Sequence, residues 1–292
     1  MALRRLLPAG VLAALAGGAF ADGWPGPSQP VRLAPERDYG PFVFQREDGR
    51  IDGLSIEMLE LLRPVAGLRI EMLAPQPLQQ QLDALRERRA DLVTSLRATP
   101  ERAAYAAFTL PYVAVPAVVV MRTDAPPQSL AQLSGAAVAV GQGYAVEAVV
   151  RQRHPAVRWQ PVGDDVQALR GVVERRFAAA VVDAASLAHV TRTHAAIGGL
   201  QITGSADFDY ALSYAVRKDW PELRDALDAA IRTVPASRRQ ALVERWIGNG
   251  VAPVQRSPWA SRAGWALLAA GLLGAAVLGA LAMWRRRAGR AG

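Results

Sequence analysis

The chain has 292 residues, with 34 lysine and arginine residues against 26 aspartate and glutamate residues, for a formal net charge of +8. Six of those charges lie in the terminal segments 1–21 and 285–292, and taking six from +8 leaves +2 for the rest. No basic tract with interleaved aromatic residues occurs there, so nucleic-acid binding has no support. The lack of cysteine excludes disulfides and thiol catalysis.

Residues 1–21 have the layout of a secretory signal peptide. Two arginines form a short basic start, an apolar run follows, and the segment closes with Ala19-Phe20-Ala21. We expect cleavage after Ala21. The alternative is an anchor that is never removed, but the apolar run is short and Pro8 interrupts it.

The first half of the following domain alternates strand-like and helix-like patterns. It predicts strands at Val31–Pro35, Phe42–Phe44, Leu68–Met72 and Asp91–Thr94 and helices over 54–65 and 78–85. Thr99-Pro100-Glu101 predicts the start of another helix, with Thr99 as the N-cap and Pro100 in the first turn.

After the apolar run 113–121 the alternation starts again. The second half predicts strand 136–140, helices 144–153 and 165–175, strand 177–182, helix 184–194, strand 210–216 and helices near 221–233 and 236–246. Repeated β-α-β order predicts parallel sheets covered by helices. Two such runs joined by one extended segment predict two lobes, with hinges near 112–116 and 207–212.

Polar residues follow several of these strands directly. Strand 91–94 leads to Ser95, Arg97 and Arg102, strand 136–140 leads to Gly141-Gln142-Gly143, and strand 177–182 leads to Asp183. In open α/β sheets, ligands bind beyond the carboxyl ends of the strands. Arginines and helix N-termini suit a carboxylate, and an aspartate suits an ammonium group. These residues therefore predict a site for a zwitterion.

The C-terminal end predicts one transmembrane helix. Residues 263–284 include no charged residue and would reach about 33 Å as a helix, enough to cross a bilayer core. Trp265 and Trp284 lie at its edges, and the arginine-rich tail 285–292 marks the cytoplasmic side. We expect the preceding domain to lie in the periplasm, anchored to the inner membrane.

The segment from about 30 to 250 resembles the type 3 extracellular solute-binding proteins, which serve amino-acid transporters and form the sensing domains of some hybrid histidine kinases. Several motifs in the expected order and spacing carry the resemblance: Tyr39-Gly40-Pro41-Phe42-Val43-Phe44, Asp48-Gly49-Arg50-Ile51-Asp52-Gly53-Leu54-Ser55-Ile56-Glu57, Arg89-Ala90-Asp91-Leu92, Ala98-Thr99-Pro100-Glu101-Arg102, Phe108-Thr109-Leu110-Pro111-Tyr112, Val138-Ala139-Val140-Gly141-Gln142-Gly143 and Ala180-Val181-Val182-Asp183. The resemblance implies an α/β, two-lobed periplasmic-binding-protein type II (Venus flytrap) fold over 28–250. Lobe 1 would comprise about 28–112 and 212–250, and lobe 2 about 113–211.

The resemblance also implies roles for the predicted site residues. Arg102 would bind the α-carboxylate of the ligand and Asp183 its ammonium group. The backbone N–H groups from Gly141 through Gly143 to Tyr144 would contribute, and Tyr39 would pack on the ligand. A structural interpretation stands beside each role. Arg102 would then be a surface residue, Asp183 a helix cap, Tyr39 a core aromatic and the glycines only a turn.

The sequence departs from the family pattern at two positions. Arg97 stands where amino-acid binders usually carry a small Thr or Ser, and Leu78 or a neighbouring glutamine replaces a second aromatic residue. An added cation beside Arg102 would favour a diacid or another anion over a neutral amino acid. Arg97 would otherwise point to solvent or pair with Glu101.

Three functions are compatible with these patterns. The first is a tethered receptor that delivers a small amino acid or organic anion to an ABC transporter permease. The second is the input module of a sensor kinase system, because the stretch 214–223 looks closer to the kinase-sensor branch. The third is a dehydratase-type enzyme with Glu36 or Asp38 as general acid or base. We expect no enzyme activity and no cofactor. We also expect no metal, because His154, His189 and His194 lack metal-ligand spacing.

Overall fold

The computed structural model describes residues 24–248. Its strands are β1 (Val31–Ala34), β2 (Asp38–Tyr39), β3 (Val43–Gln45), β4 (Ile51–Asp52), β5 (Ile70–Met72), β6 (Leu92–Arg97), β7 (Ala106–Phe108), β8 (Val113–Arg122), β9 (Ala137–Gly141), β10 (Arg158–Val162), β11 (Ala179–Asp183) and β12 (Leu200–Arg217). Its α-helices are α1 (Leu54–Ala66), α2 (Leu78–Arg86), α3 (Ala145–Arg153), α4 (Asp165–Val173), α5 (Ala184–Thr193), α6 (Pro221–Thr233) and α7 (Ala236–Ile247).

The predicted signal peptide 1–21, the predicted transmembrane helix 263–284 and the tail 285–292 lie outside the described residues. Between positions 24 and 248, no helix combines the length and the apolar character needed to span a bilayer.

The main sheet runs in the order β10-β9-β11-β8-β12-β6-β1-β5, and β7 pairs with β12. Its outer parts are parallel, with β1 between β5 and β6 on one side and β9 between β10 and β11 on the other. The centre is antiparallel because β8 and β12 return the chain between the two parts. The parallel β-α-β order predicted from the sequence therefore holds within each half.

The long strand β12 joins two lobes. It pairs with β8 from Leu200 to Leu212 and with β6 from there to Val216, so it runs from one half to the other. We call β1–β7, α1, α2, α6 and α7 lobe 1, and β9–β11 with α3–α5 lobe 2. The segments predicted as hinges lie side by side, since 113–116 pairs with 209–212.

Lobe 1 buries its helices against one another as well as against the sheet. Helix α1 ends at Gly67, which adopts a left-handed conformation with φ of 65° and whose N–H bonds back to the carbonyl of Arg63. Helices α6 and α7 both contact α1. At the end of α7, the Trp246 indole donates to Glu57 of α1 at 2.9 Å, and Arg245 pairs with the same carboxylate. The last described helix is thus fixed to lobe 1.

Three local predictions from the sequence were wrong. Strand β10 was not predicted, because it exposes most of its side chains and contains Pro161, as an edge strand can. Strand β12 begins at Leu200 rather than 210, where Gly204 and polar residues obscure the strand pattern. The helix expected after Thr99 is only a 3₁₀ turn over Arg102–Ala104. Thr99 does accept from the Arg102 N–H at 3.2 Å, but the chain then enters β7.

Candidate ligand-binding cleft

A polar cleft lies between the lobes, beyond the carboxyl ends of β1, β6 and β9. Its cavity measures about 20 Å³, which is room for roughly one water molecule. The residues that line it are Glu36, Tyr39, Leu78, Ser95, Leu96, Arg97 and Arg102 from lobe 1, Tyr144 and Ala145 from lobe 2, and Tyr210 from β12. The lobes are therefore closed on each other in this conformation.

Arg102 bridges the two lobes. Its side chain is buried, with Nη1 donating to the Arg97 carbonyl at 2.8 Å and Nη2 donating to the Gly143 carbonyl of lobe 2 at 2.8 Å. Burial lowers the pKa of this guanidinium, but an arginine side chain keeps its positive charge in proteins. The structure therefore places a buried cation in the cleft wall, held by two carbonyl acceptors. The interpretation of Arg102 as a surface residue was wrong.

Glu36 follows β1 and is a second bridge between the lobes. It is buried, and its Oε1 accepts from the Tyr144 hydroxyl of lobe 2 at 3.3 Å. Burial raises the pKa of Glu36 from 4.5 to about 8. The carboxyl is therefore largely protonated at neutral pH. It was considered from the sequence only as a possible catalytic acid, although its position after a strand marks it as a cleft residue.

Asp183 ends β11 and caps α5. Its Oδ1 accepts from the Ser186 N–H at 2.7 Å, and its Oδ2 accepts from the Ser186 hydroxyl at 2.6 Å. Burial raises the pKa of Asp183 to about 6. The capping interpretation is thus realised. Asp183 lies behind the cavity wall, close enough that its charge adds to burial in raising the pKa of Tyr39.

A second buried aspartate, not predicted as a site residue, lies beside Asp183. Asp165 is the first residue of α4, and neither carboxylate oxygen has a hydrogen-bond partner among the described residues. Burial, and then the charge of Asp183, hold the pKa of Asp165 well above its usual range. The residue lies three positions after the end of β10, at the start of a helix. The strand-end rule would have found it had β10 been predicted.

Aromatic rings meet across the cleft. The Tyr39 ring of lobe 1 lies 5.8 Å from the Tyr144 ring of lobe 2, and 5.0 Å from Phe42 in its own lobe. Tyr144 covers Gly141 so closely that a Cβ there would come within 2.5 Å of its ring. Gly143 has φ of +74° and its N–H donates to Glu147 at 2.8 Å. In this conformation the turn presents the Gly143 carbonyl, rather than its N–H, to Arg102.

Ser95 and Arg97 line the cavity, but protein groups occupy much of their hydrogen-bonding capacity. Ser95 has φ of 60°, its N–H donates to the Tyr112 hydroxyl at 3.0 Å and its own hydroxyl donates to Ser55 at 2.8 Å. Arg97 Nη1 donates to the Asp209 carbonyl at 2.6 Å, and the guanidinium lies 5.2 Å from the Phe208 ring centre.

The other candidate general acid or base lies elsewhere. Asp38 borders a separate surface pocket beside Gly40, Phe44 and His189, on the outer side of the contact between the lobes. Burial raises its pKa, but the residue does not line the central cavity. Of the two acids considered for a dehydratase-type reaction, Glu36 alone lies in the cavity wall.

Comparison with known proteins matches this fold and cleft to one family. The sequence model of the bacterial extracellular solute-binding proteins, family 3, fits residues 31–249. The chain belongs to this family. Its relatives include the L-cystine-binding protein TcyJ of Escherichia coli, which is 29% identical over 221 residues, covering 74% of this chain and 82% of TcyJ. The resemblance inferred from the sequence motifs is confirmed.

Sensor proteins are also among the relatives. The virulence sensor protein BvgS of Bordetella bronchiseptica is 26% identical over 221 residues, covering 75% of this chain but only 18% of BvgS. A crystal structure of a histidine kinase sensor domain with similarity to periplasmic binding proteins superimposes with a TM-score of 0.71 at 22% identity. That superposition covers 77% of this chain and 98% of the sensor domain. The α/β Venus flytrap fold is therefore confirmed.

Proposed function

We propose that the chain captures a small amino-acid-like solute by closure of its two lobes and presents it to a transporter for uptake. The observation that carries this proposal is the position of Arg102. A fixed, buried guanidinium in the wall of a cleft is the group that proteins use to bind a carboxylate, because two parallel N–H groups match its two oxygens.

Binding of a solute would give Arg102 a stronger hydrogen-bond acceptor than the one it has in this conformation. Arg102 donates to two neutral carbonyls in the closed, cavity-poor conformation. A solute carboxylate would replace the Gly143 carbonyl, since a charged acceptor makes a stronger hydrogen bond than a neutral one. The cavity of about 20 Å³ must widen to admit an amino acid, so the lobes open before they close on the solute.

The proposed location of the domain rests on the two terminal segments of the chain. We propose that the signal segment 1–21 exports the domain to the periplasm and that helix 263–284 anchors it to the inner membrane. Family membership supports export, because the family is extracellular. An ABC transporter permease in the same membrane would be the receiving partner.

A second candidate function is the sensing of a solute for a histidine-kinase-type system. One structural observation favours it: the lobes already contact each other through Arg102–Gly143 and Glu36–Tyr144. A sensor can use such a self-closed state as one of two signalling conformations, whereas a carrier needs an open state that solute closes. The similarity to BvgS supports the same candidate.

A thermal-unfolding screen of the purified full chain tests the proposal. Amino acids, dicarboxylates and small anions are added separately, and at about 100 times its dissociation constant a ligand should stabilise by about 2.7 kcal/mol. We expect an amino-acid-class solute to raise the Tm of the wild type and of Arg89→Ala, which replaces an exposed lobe 1 arginine. It should not raise the Tm of Arg102→Ala.

Two results would count against the proposal. If no compound raises the Tm, the cleft is not a solute site. If a ligand stabilises Arg102→Ala as much as the wild type, the solute binds without its predicted carboxylate contact. Uptake of the identified solute by cells with and without the chain then separates delivery from sensing.

A further inference from the structure

The inner part of the cleft contains more buried acids than a zwitterion needs. Glu36, Asp165 and Asp183 are all buried at the contact between the lobes. Their charges reach one another, since Asp183 and Glu36 both act on the pKa of Asp165. Arg97, Arg102 and Glu36 line the cavity, whereas Asp165 and Asp183 lie behind its wall. Burial raises the pKa of all three carboxyl groups, and a solute cation beside them would favour their ionised forms, because an opposite charge lowers the pKa of a carboxyl group.

Asp165 is the acid that no structural role accounts for. The preceding residue, Asp164, caps α4, with its Oδ1 accepting from the Gln167 N–H at 2.7 Å. The Ser186 hydroxyl, which lies beside Asp165, donates to Asp183 instead. A carboxyl group at the first position of a helix gains from the helix dipole, but that gain is available at the surface and does not require burial.

Tyr210 has a second unpartnered polar group. Tyr210 lines the cavity, and within residues 24–248 its buried hydroxyl has no hydrogen-bond partner. Asp165 and Asp183 are the charges that, after burial, most raise the pKa of Tyr210, which places the hydroxyl near both acids. Buried polar groups in native proteins nearly always have partners, and a ligand, an ion or a water molecule can supply the partner that the protein does not.

We propose that Asp165 accepts a hydrogen bond from the side-chain cation of the solute, and that the cleft selects solutes of net positive charge, of the basic amino acid class. The inference rests on the proposed function, with Arg102 binding the carboxylate. Asp183, whose oxygens already accept two hydrogen bonds from Ser186, orients α5 and supports Asp165. The Arg97 guanidinium, which suggested an anionic solute from the sequence, donates to the Asp209 carbonyl and lies against the Phe208 ring.

Lysine and norleucine form a matched pair of probes, because norleucine has the same carbon chain without the terminal ammonium group. We expect the purified full chain to bind lysine at least about tenfold more tightly than norleucine, measured by calorimetry, since a hydrogen bond to a charged group is worth about that factor or more. Glutamate, with a net negative charge, should bind more weakly than norleucine.

The variant Asp165→Asn tests the assigned residue. It should weaken lysine binding by at least about tenfold and leave norleucine binding within about threefold. Asp225→Asn is the control, since it removes one negative charge from an exposed side chain of α6 that does not line the cavity. If Asp165→Asn does not fold, Tyr210→Phe removes the neighbouring acceptor and should lower the lysine preference in the same direction.

Different failures are distinguishable. If norleucine or glutamate binds as tightly as lysine to the wild type, and Arg102→Ala abolishes that binding, the proposed function stands and the charge preference is overturned. If the Asp165→Asn variant keeps the full lysine preference, Asp165 is not the contact. If neither a basic nor any other amino acid binds the wild type, the proposed function itself fails.

Discussion

Glu36 shows how burial sets the charge of one residue in the cleft. The residue lies two positions after the end of β1 in lobe 1, and the closed lobes remove its carboxyl group from water. The Tyr144 hydroxyl favours the ionised form, but burial outweighs it, and the pKa of Glu36 rises to about 8. Between pH 4.5 and 8 the folded chain therefore holds a proton at this residue that the unfolded chain releases.

The pH dependence of stability follows from that difference. The contribution of Glu36 is fully present below pH 4.5 and is lost as the pH rises through about 8. Glu36→Gln cannot ionise, so its free energy of unfolding should rise relative to the wild type by roughly 2–4 kcal/mol between pH 5 and pH 8. Urea unfolding of both proteins at the two pH values measures this double difference.

The contribution of His189 to the pH dependence of stability has the opposite sign to that of Glu36. Burial lowers the pKa of His189 to about 4, so its contribution is present above pH 6.5 and is lost as the pH falls through about 4. Comparing the variant with the wild type at each pH cancels this effect. A stability difference that is the same at pH 5 and pH 8 would contradict the assigned burial of Glu36.

Sequence reasoning reached some of these residues and not others for a physical reason. Arg102 and Asp183 follow strands that apolar runs make recognisable, so the strand-end rule locates them. Asp165 was missed because β10, the strand before it, exposes most of its side chains. The closure contacts depend on which atoms meet when the lobes close, such as the Arg102 guanidinium and the Gly143 carbonyl, and no local pattern encodes that meeting.

At the scale of elements, the start of α1 depends on Gly53. Its φ is 126°, and a Cβ at this position would come within 2.4 Å of the Phe42 carbonyl oxygen. The adjacent N–H groups of Leu54 and Ser55 donate to the carbonyls of Pro41 and Phe42, which fixes the hairpin against the helix. The glycine is therefore required both by its backbone conformation and by close approach.

Gly53→Ala should destabilise the chain by about 2–3 kcal/mol, because the strained φ cannot relax without breaking these backbone contacts. Gly49→Ala is the matched control. Gly49 also has a positive φ of 84°, but a Cβ there would meet nothing within 4 Å, so its cost should be about 1 kcal/mol. Urea unfolding measures both, and equal costs would mean that backbone conformation alone, without the close contact, sets the effect.

Helices were easier to predict from the sequence than the centre of the sheet. Helices α1, α2, α6 and α7 match their predictions to within a residue or two, because apolar residues recur along one face of each. The first half of β12 carries no such signal. It is a strand because β8 supplies its hydrogen bonds. The β8 residues that pair with Leu200 and Gln201 lie more than 75 residues earlier in the chain.

At the scale of the whole molecule, side chains at several points of the contact between the lobes hold them together. Besides Arg102 and Glu36, the Ser186 hydroxyl of lobe 2, which donates to Asp183, lies 3.0 Å from the Gly40 carbonyl oxygen of lobe 1. The His189 ring lies 4.9 Å from the Phe44 ring, which in turn lies 6.1 Å from Trp246 at the end of α7. A contiguous row of aromatic rings therefore connects lobe 2 with α7, the last described helix.

Arg102 is the charged member of this set of closure contacts, so its removal should open the lobes in the absence of solute. The chain has no cysteine, which allows spin labels to be placed selectively at Gln80→Cys in α2 and Ala148→Cys in α3, both exposed. We expect Arg102→Ala to shift the distance distribution between the labels to longer values and to broaden it. The same labels in Arg89→Ala should report the wild-type distribution, because that arginine lies outside the cleft.

The outcome bears on how the chain works. A two-state equilibrium moves by no more than the free energy that distinguishes the states, and one buried charged hydrogen bond is worth about 1.5–3 kcal/mol. If loss of Arg102 converts a mainly closed population into a mainly open one, the closed state is favoured by no more than that amount. A solute that engages Arg102 can then control it. If the distribution does not move, Ser186, Glu36 and the ring contacts suffice for closure, and solute binding must act against a much more stable closed state.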